Sequence, residues 1–159
     1  MEDKEMTRWG IGPKFTIISV TYGIIILIVH LIYLPSLTFE IISRAVNIIL
    51  GIILIILGIP IFLIPALTIG KYFYEGRLCT TGVYSFFRHP IYASWIVFFA
   101  PGIVLIFGYL LGISVPIFMY IVFRALIVEE EEYLEKKFSR EYLEYKKKVN
   151  AVFPRLWRW

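Results

Sequence analysis

Within the stretch Gly82-Val83-Tyr84-Ser85-Phe86-Phe87-Arg88-His89-Pro90-Ile91-Tyr92, a guanidinium, an imidazole and two phenols fall close together beside an apolar run. Arg88 can meet an anionic group, His89, Tyr84 and Tyr92 can hydrogen-bond, and the rings can stack on a heterocycle. A second concentration of reactive groups is the carboxylate run Glu129-Glu130-Glu131-Glu132. Four neighbouring carboxylates repel one another, and on a helix they point around more than half the circumference. At least one must therefore turn toward the protein body, where it needs a cation. Glu130 supplies a charge opposite to that of Arg88. Arg124 lies just inside the end of an apolar segment, where an ionisable residue either faces a partner or cavity or snorkels to the interface. Together these groups suit a zwitterionic ligand that also carries an aromatic base.

The elements that must position them are membrane helices. Of the 159 residues, 59% are hydrophobic and 18% charged, with a mean hydropathy of +0.78, more apolar surface than a water-soluble domain of this length could bury. Residues 15–34 hold no formal charge, and at about 1.5 Å per residue they make a helix near 30 Å long, the thickness of a bilayer's hydrocarbon core. The run is long for the apolar part of a signal peptide and has acidic flanks, so it reads as a span. Residues 45–65 form the second span, in which Gly51, Gly58 and Pro60 permit close helix contact or a kink. Pro90 opens a third span, 90–107, in its first turn, where a missing N–H is harmless. A tight connection at 108–112 leads into the fourth, 113–128. The expected fold is all-α and membrane-embedded: four transmembrane helices and a C-terminal amphipathic helix over 129–150, in one domain covering 1–159.

Fifteen of the sixteen lysines and arginines then fall on one membrane face, with only Arg44 on the other. By the positive-inside rule the rich face is cytoplasmic, which puts both termini, the 66–89 loop and the reactive cluster there, in a cell membrane if the source is prokaryotic. The basic charge is accounted for by topology and anionic headgroups, so no nucleic-acid partner is expected. Cys79 is the single cysteine, which excludes an internal disulfide, and two distant histidines make a metal site unexpected. Over 129–149, Leu134, Phe138, Tyr142, Tyr145 and Val149 recur at spacings of four, four, three and four, one apolar stripe on a helix lying on the headgroups. Trp157-Arg158-Trp159 reads as an interfacial anchor and His30, in mid-span, as a helix-to-helix hydrogen bonder.

At Gly82-Val83-Tyr84, Arg88-His89-Pro90-x-Tyr92, Glu130-Glu131-x-x-Leu134, Phe138 and Tyr142-Leu-Glu-Tyr145-Lys-Lys, followed by Val149 and Phe153-Pro154, the sequence resembles the isoprenylcysteine carboxyl methyltransferase family. That group of integral-membrane methyltransferases also takes in phospholipid and small-thiol methyltransferases. The resemblance covers residues 77–154, while the first two spans carry no such motif. It implies that S-adenosylmethionine binds at the cytoplasmic face, between the loop before the third span, the start of that span and the tail helix. Arg77, Leu78 and Cys79 would line the pocket, Tyr84 would pack beside the cofactor, and His89, Pro90, Ile91 and Tyr92 would contact it. Arg88 would meet an anionic group and Glu130 the polar end. Two positions depart from the family pattern. Leu126 stands where prenylcysteine-modifying members carry a substrate-binding arginine, leaving Arg124 as the nearest, and Gly76 replaces a pocket histidine.

The implied reaction is methyl transfer to a lipophilic acceptor reached from within the bilayer: a prenylcysteine-like carboxylate, or a lipid amine or thiol. A carboxylate needs no general base, whereas an amine or thiol would draw on Glu130, Glu131 or His89. Glu130 and Arg124 are the residues expected to act at the reacting end. Two rival readings use the same residues. One is a reductase-type membrane enzyme, against which the lack of a glycine-rich dinucleotide loop speaks, and the other a non-catalytic scaffold in which the cluster is a snorkelling belt.

Overall fold

The computed structural model describes Thr7 and residues 9–154, so the Trp157-Arg158-Trp159 anchor lies outside the described residues. Its helices are α1 (Gly12–Tyr33), α2 (Arg44–Tyr74), α3 (Pro90–Ala93), α4 (Ala100–Phe107) and α5 (Ser114–Lys148). A π-helical segment, Ser94–Phe99, joins α3 to α4 as one span, and a 3-10 turn, Leu110–Ile113, leads into α5. Four continuous helical stretches are long and apolar enough to cross a bilayer. Large apolar side chains such as Ile17, Ile32, Ile42 and Leu67 point outward, which is stable only if lipid covers them. The chain is an integral membrane protein of all-α class, as its composition predicts.

The second span is longer than expected. Pro65 suggested its end, yet α2 runs on to Tyr74. A bilayer-embedded helix tolerates proline when hydroxyls and neighbours satisfy the freed backbone, and the extra turns carry Ile69 and Phe73 to the site described below. Gly51 and Gly102 are required where α2 meets α4. A Cβ on Gly51 would stand 2.6 Å from the Gly102 carbonyl oxygen, so the backbones touch as the glycines promised. The π segment has a local cause in Pro101. It offers no N–H to continue the ladder, and the Ala100 N–H reaches back five residues to Trp95.

The largest departure is in α5. Lys146 Nζ lies 2.8 Å from Glu131 Oε2 and also pairs with Glu135, although fifteen residues of straight helix would separate positions 131 and 146 by about 22 Å. The helix doubles back at Ser139, whose φ of 46° and ψ of −118° are not helical. Residues 114–138 form one arm and 140–148 a second, returning arm. The expected tail helix over 129–150 is thus divided: its first part prolongs span four and its second folds over it. The Tyr142, Tyr145 and Val149 stripe faces inward, against Leu78, Leu134 and Phe138, rather than lying on headgroups. The spacing was right, and the surface it covers is the protein's own.

The start of α1, the 75–89 loop and the end of α5 meet at one end of the bundle. The Arg88 and His89 N–H groups donate to the Asn150 and Ala151 carbonyls at 2.8 and 2.9 Å. At the other end, the Phe39 N–H donates to the Gly108 carbonyl at 2.8 Å, and buried Asn47 accepts from the Ile41 N–H and donates to the Phe39 carbonyl. His30 is also buried there, its ring 5.3 Å from that of Tyr109, but its Nδ1 has no hydrogen-bond partner among the described residues, contrary to the interhelical bond expected of it.

A serine held at φ 46° carries strain that glycine does not. Ser139→Gly is expected to stabilise the detergent-solubilised protein by about 1 kcal/mol after glycine's greater unfolded-state entropy is deducted, and Ser139→Val to destabilise it. Thermal unfolding midpoints check this, and a lower midpoint for the glycine variant would contradict the hairpin geometry.

Candidate functional site

His89 ends the loop and Pro90 begins α3, so the imidazole stands at the mouth of the third span. It is buried to 5% exposure between two carboxylates, with Nδ1 3.3 Å from Glu130 Oε1 and Nε2 3.4 Å from Glu131 Oε1. Both ring nitrogens therefore face acceptors, which only the doubly protonated ring can satisfy. Burial disfavours that charge, but the hydrogen bonds and fields of Glu130 and Glu131 outweigh it, and the His89 pKa stands above its ordinary value.

Each carboxylate then reaches a different element. Glu130 Oε2 accepts from the Tyr92 hydroxyl at 3.1 Å and the Ile11 N–H at 3.2 Å, joining α5 to α3 and to the approach to α1. Gly10 lies so close to this carboxylate that a Cβ would collide with it, and its φ of +51° again suits glycine. Glu131 accepts from Arg88 at 2.5 Å and pairs with Lys146. The Arg88 guanidinium also donates to the Lys146 and Val149 carbonyls, each at 3.0 Å, capping the returning arm. The arrangement answers the problem posed by the four acids: Glu130 and Glu131 turn inward, while Glu129 pairs at the surface with Lys14 at 2.8 Å.

Beside this network lies a cavity of about 640 Å³, within the range of small-molecule sites. All ten residues assigned to cofactor contact from the sequence line it: Arg77, Leu78, Cys79, Tyr84, Arg88, His89, Pro90, Ile91, Tyr92 and Glu130. The structure does not bring Arg124 to it. That side chain is exposed on α5 and bonds the Tyr120 hydroxyl of its own helix, so no acting role survives for it in this cavity. Gly76 lines a smaller neighbouring pocket with Arg77 and Glu141. Burial raises the Cys79 and Tyr84 pKa values, so both present neutral groups to the cavity.

The wall has two characters. Its polar part holds Glu130, His89 and Tyr84, and Phe62, Ile69 and Trp95 supply an apolar part. On α2 the lining runs from Phe73 back to Phe62, about 16 Å along that helix. The buried Tyr142 hydroxyl, also on the wall, has no hydrogen-bond partner among the described residues. Sequence reasoning missed the contributions of the approach to α1 and of α2, because Trp9 precedes the first span, Phe62 sits in a span read as lipid-facing and Phe73 in the 66–89 stretch read as a cytoplasmic loop. Tyr142 and Phe138 were in the stripe that was assigned to headgroups.

A family model described as phospholipid methyltransferase matches residues 39–141. The chain belongs to that family. The match takes in α2, beyond the motif-bearing half recognised in the sequence. The chain is also similar to the human protein-S-isoprenylcysteine O-methyltransferase, 39% identical over 77 residues that make up 48% of this chain and 27% of the relative. A probable protein-S-isoprenylcysteine O-methyltransferase of Oryza sativa subsp. indica is 30% identical over 113 residues, 65% of this chain and 59% of that one. A solved structure described as the eukaryotic intramembrane Ras methyltransferase, isoprenylcysteine carboxyl methyltransferase, shares the fold with a TM-score of 0.64 at 24% identity, covering 91% of this chain and 53% of its own. The chain thus spans between about a quarter and three fifths of these proteins.

A histidine whose folded pKa is raised stabilises fully below its unfolded value of about 6.5, and that contribution is lost as pH rises through the folded value. The thermal midpoint should therefore fall as pH climbs above about 6.5, and the slope should flatten in His89→Gln. A midpoint that rises over this interval would be incompatible with an imidazolium held between Glu130 and Glu131.

Proposed function

We propose that this phospholipid methyltransferase family member transfers a methyl group from S-adenosylmethionine to a lipophilic, carboxylate-bearing acceptor of the prenylcysteine type. The observation that carries the reading is one cavity whose polar part is the Arg88-His89-Pro90-x-Tyr92 cluster and whose apolar part runs along α2 to Phe62. The resemblance of the curated relatives, named for prenylcysteine O-methylation, points the same way. A polar cofactor would meet the first part, and an acceptor's hydrocarbon tail the second.

The residues fit such a cofactor. Tyr142 brings a buried hydroxyl with no partner among the described residues, Tyr84 and Phe138 bring ring faces, and Glu130 keeps lone-pair capacity for a cationic group. When bound, S-adenosylmethionine supplies an activated methyl carbon on a sulfonium. The chain's own task is then to bind, orient and exclude water. Leu78, Leu134 and the folded-back arm shield the polar part, and the apolar wall aligns the acceptor.

The same network argues for the acceptor's class. An amine or thiol would have to lose a proton, but His89 has both ring nitrogens turned to carboxylates and a raised pKa, Glu130 accepts from three donors and Glu131 is held by Arg88, His89 and Lys146. None is poised as a base. A carboxylate acceptor, already ionised at neutral pH, needs none.

Calorimetric titration with S-adenosylhomocysteine tests the cofactor. Tyr142→Phe is expected to weaken binding about fivefold, the worth of roughly 1 kcal/mol from one hydrogen bond. It should not lower the melting point, because the hydroxyl has no partner among the described residues to lose. His30→Ala, at the far end of the bundle, should bind within about twofold of wild type, under ~0.4 kcal/mol. Wild-type silence would refute the reading.

We further infer that the site faces the cytoplasm, on the fifteen-to-one distribution of lysine and arginine. A cysteine introduced at position 150 should resist an impermeant thiol reagent on intact cells and react once they are opened. Labelling of intact cells would reverse the orientation.

A further inference from the structure

Three lysine and arginine side chains belong to the wall of the cavity, and two already face carboxylates. Arg88 is half-buried and bound to Glu131 and two backbone carbonyls, while Arg77 pairs with Glu75 at 3.5 Å. The third is Lys137. Its ammonium is 5.0 Å from the centre of the Phe73 ring, 5.5 Å from that of Tyr133 and 5.6 Å from that of Phe138, and it donates to the Tyr133 hydroxyl at 3.3 Å. No carboxylate lies within ion-pair distance of it among the described residues.

Aromatic rings hold a cation in position without neutralising it or taking up its N–H donors in strong hydrogen bonds. With one N–H directed to Tyr133, two donors of the ammonium remain for a ligand. In the neighbouring network Glu130, Glu131 and Glu135 are already engaged by Arg88, His89 and Lys146 rather than by Lys137. Lys137 is also the side chain that crosses from α5 to the end of α2 at Phe73.

We infer that Lys137 is a specificity residue that binds the carboxylate of a ligand in this cavity, held for that purpose by the Phe73, Tyr133 and Phe138 rings. The inference rests on the methyl-transfer reading. The carboxylate belongs either to the acceptor or to the amino acid end of the cofactor, and both present the same chemistry to an ammonium.

Purified wild type, Lys137→Gln and Lys137→Arg are compared for binding of S-adenosylhomocysteine, N-acetyl-S-farnesylcysteine and the methyl ester of the latter. Lys137→Gln should lose tenfold or more in affinity for a carboxylate-bearing probe, and Lys137→Arg should stay within threefold of wild type. A loss for the farnesylcysteine acid with none for its ester assigns the acceptor's carboxylate. A loss for S-adenosylhomocysteine assigns the cofactor's. If Lys137→Gln binds both acids as the wild type does, or binds acid and ester equally less well with S-adenosylhomocysteine unchanged, the inference is overturned while the methyl-transfer reading stands. Wild-type protein that binds none of the three overturns both.

Discussion

The fold depends on one constraint: two adjacent carboxylates, Glu130 and Glu131, are drawn into the protein and must be matched there. Neighbouring residues on a helix point about 100° apart, so the pair reaches two directions from one turn of α5. Glu130 reaches Tyr92 and the approach to α1, Glu131 reaches Arg88 and the returning arm, and His89 lies between them. Four segments distant in sequence are thereby fastened at one point. Removing one member of such a buried pair leaves a partner's charge uncompensated, typically at about 3–5 kcal/mol, which makes the cluster a structural junction before it is anything chemical.

Much of this was legible beforehand, because its signals are local. Span lengths follow from uninterrupted apolar runs, the start of the third span from Pro90, and the inward turn of a carboxylate from the repulsion within Glu129–Glu132. The family resemblance over residues 77–154, carried in part by the Arg-His-Pro-x-Tyr and Glu-Glu motifs, pointed to ten residues that do line one cavity. The hairpin at Ser139 was not legible. Serine is an ordinary helix residue, nothing in the stripe from Leu134 to Val149 marks a reversal, and the φ of 46° is imposed by Lys146 and Arg88 closing on Glu131. The prolongation of α2 past Pro65 was hidden for a related reason. Proline's cost in a helix depends on whether neighbours satisfy the freed groups, a tertiary question. Arg124 was drawn toward the site as an ionisable residue at the end of an apolar segment and as the arginine nearest to Leu126. It stands six residues before Glu130, one and two-thirds turns, which rotates it to another face of α5.

Residues in a motif and residues that hold a ligand need not be the same set here. The donors and acceptors of Arg88, His89 and Glu130 are largely engaged within the protein, so their conspicuous chemistry builds the polar part of the cavity. Altering them changes the wall together with whatever the wall binds. Tyr142 and Lys137 stand in the opposite relation: the Tyr142 hydroxyl has no partner among the described residues, Lys137 bonds only the Tyr133 hydroxyl there, and both pack against neighbouring aromatic rings. Both lie within seven residues of Ser139, on either side of the reversal. The strained turn thus does more than fold the tail back: it places a hydroxyl from one arm and an ammonium from the other on the same wall. No straight continuation of α5 could do so, because five residues of helix would set Lys137 and Tyr142 about 7 Å apart along the axis and on different faces.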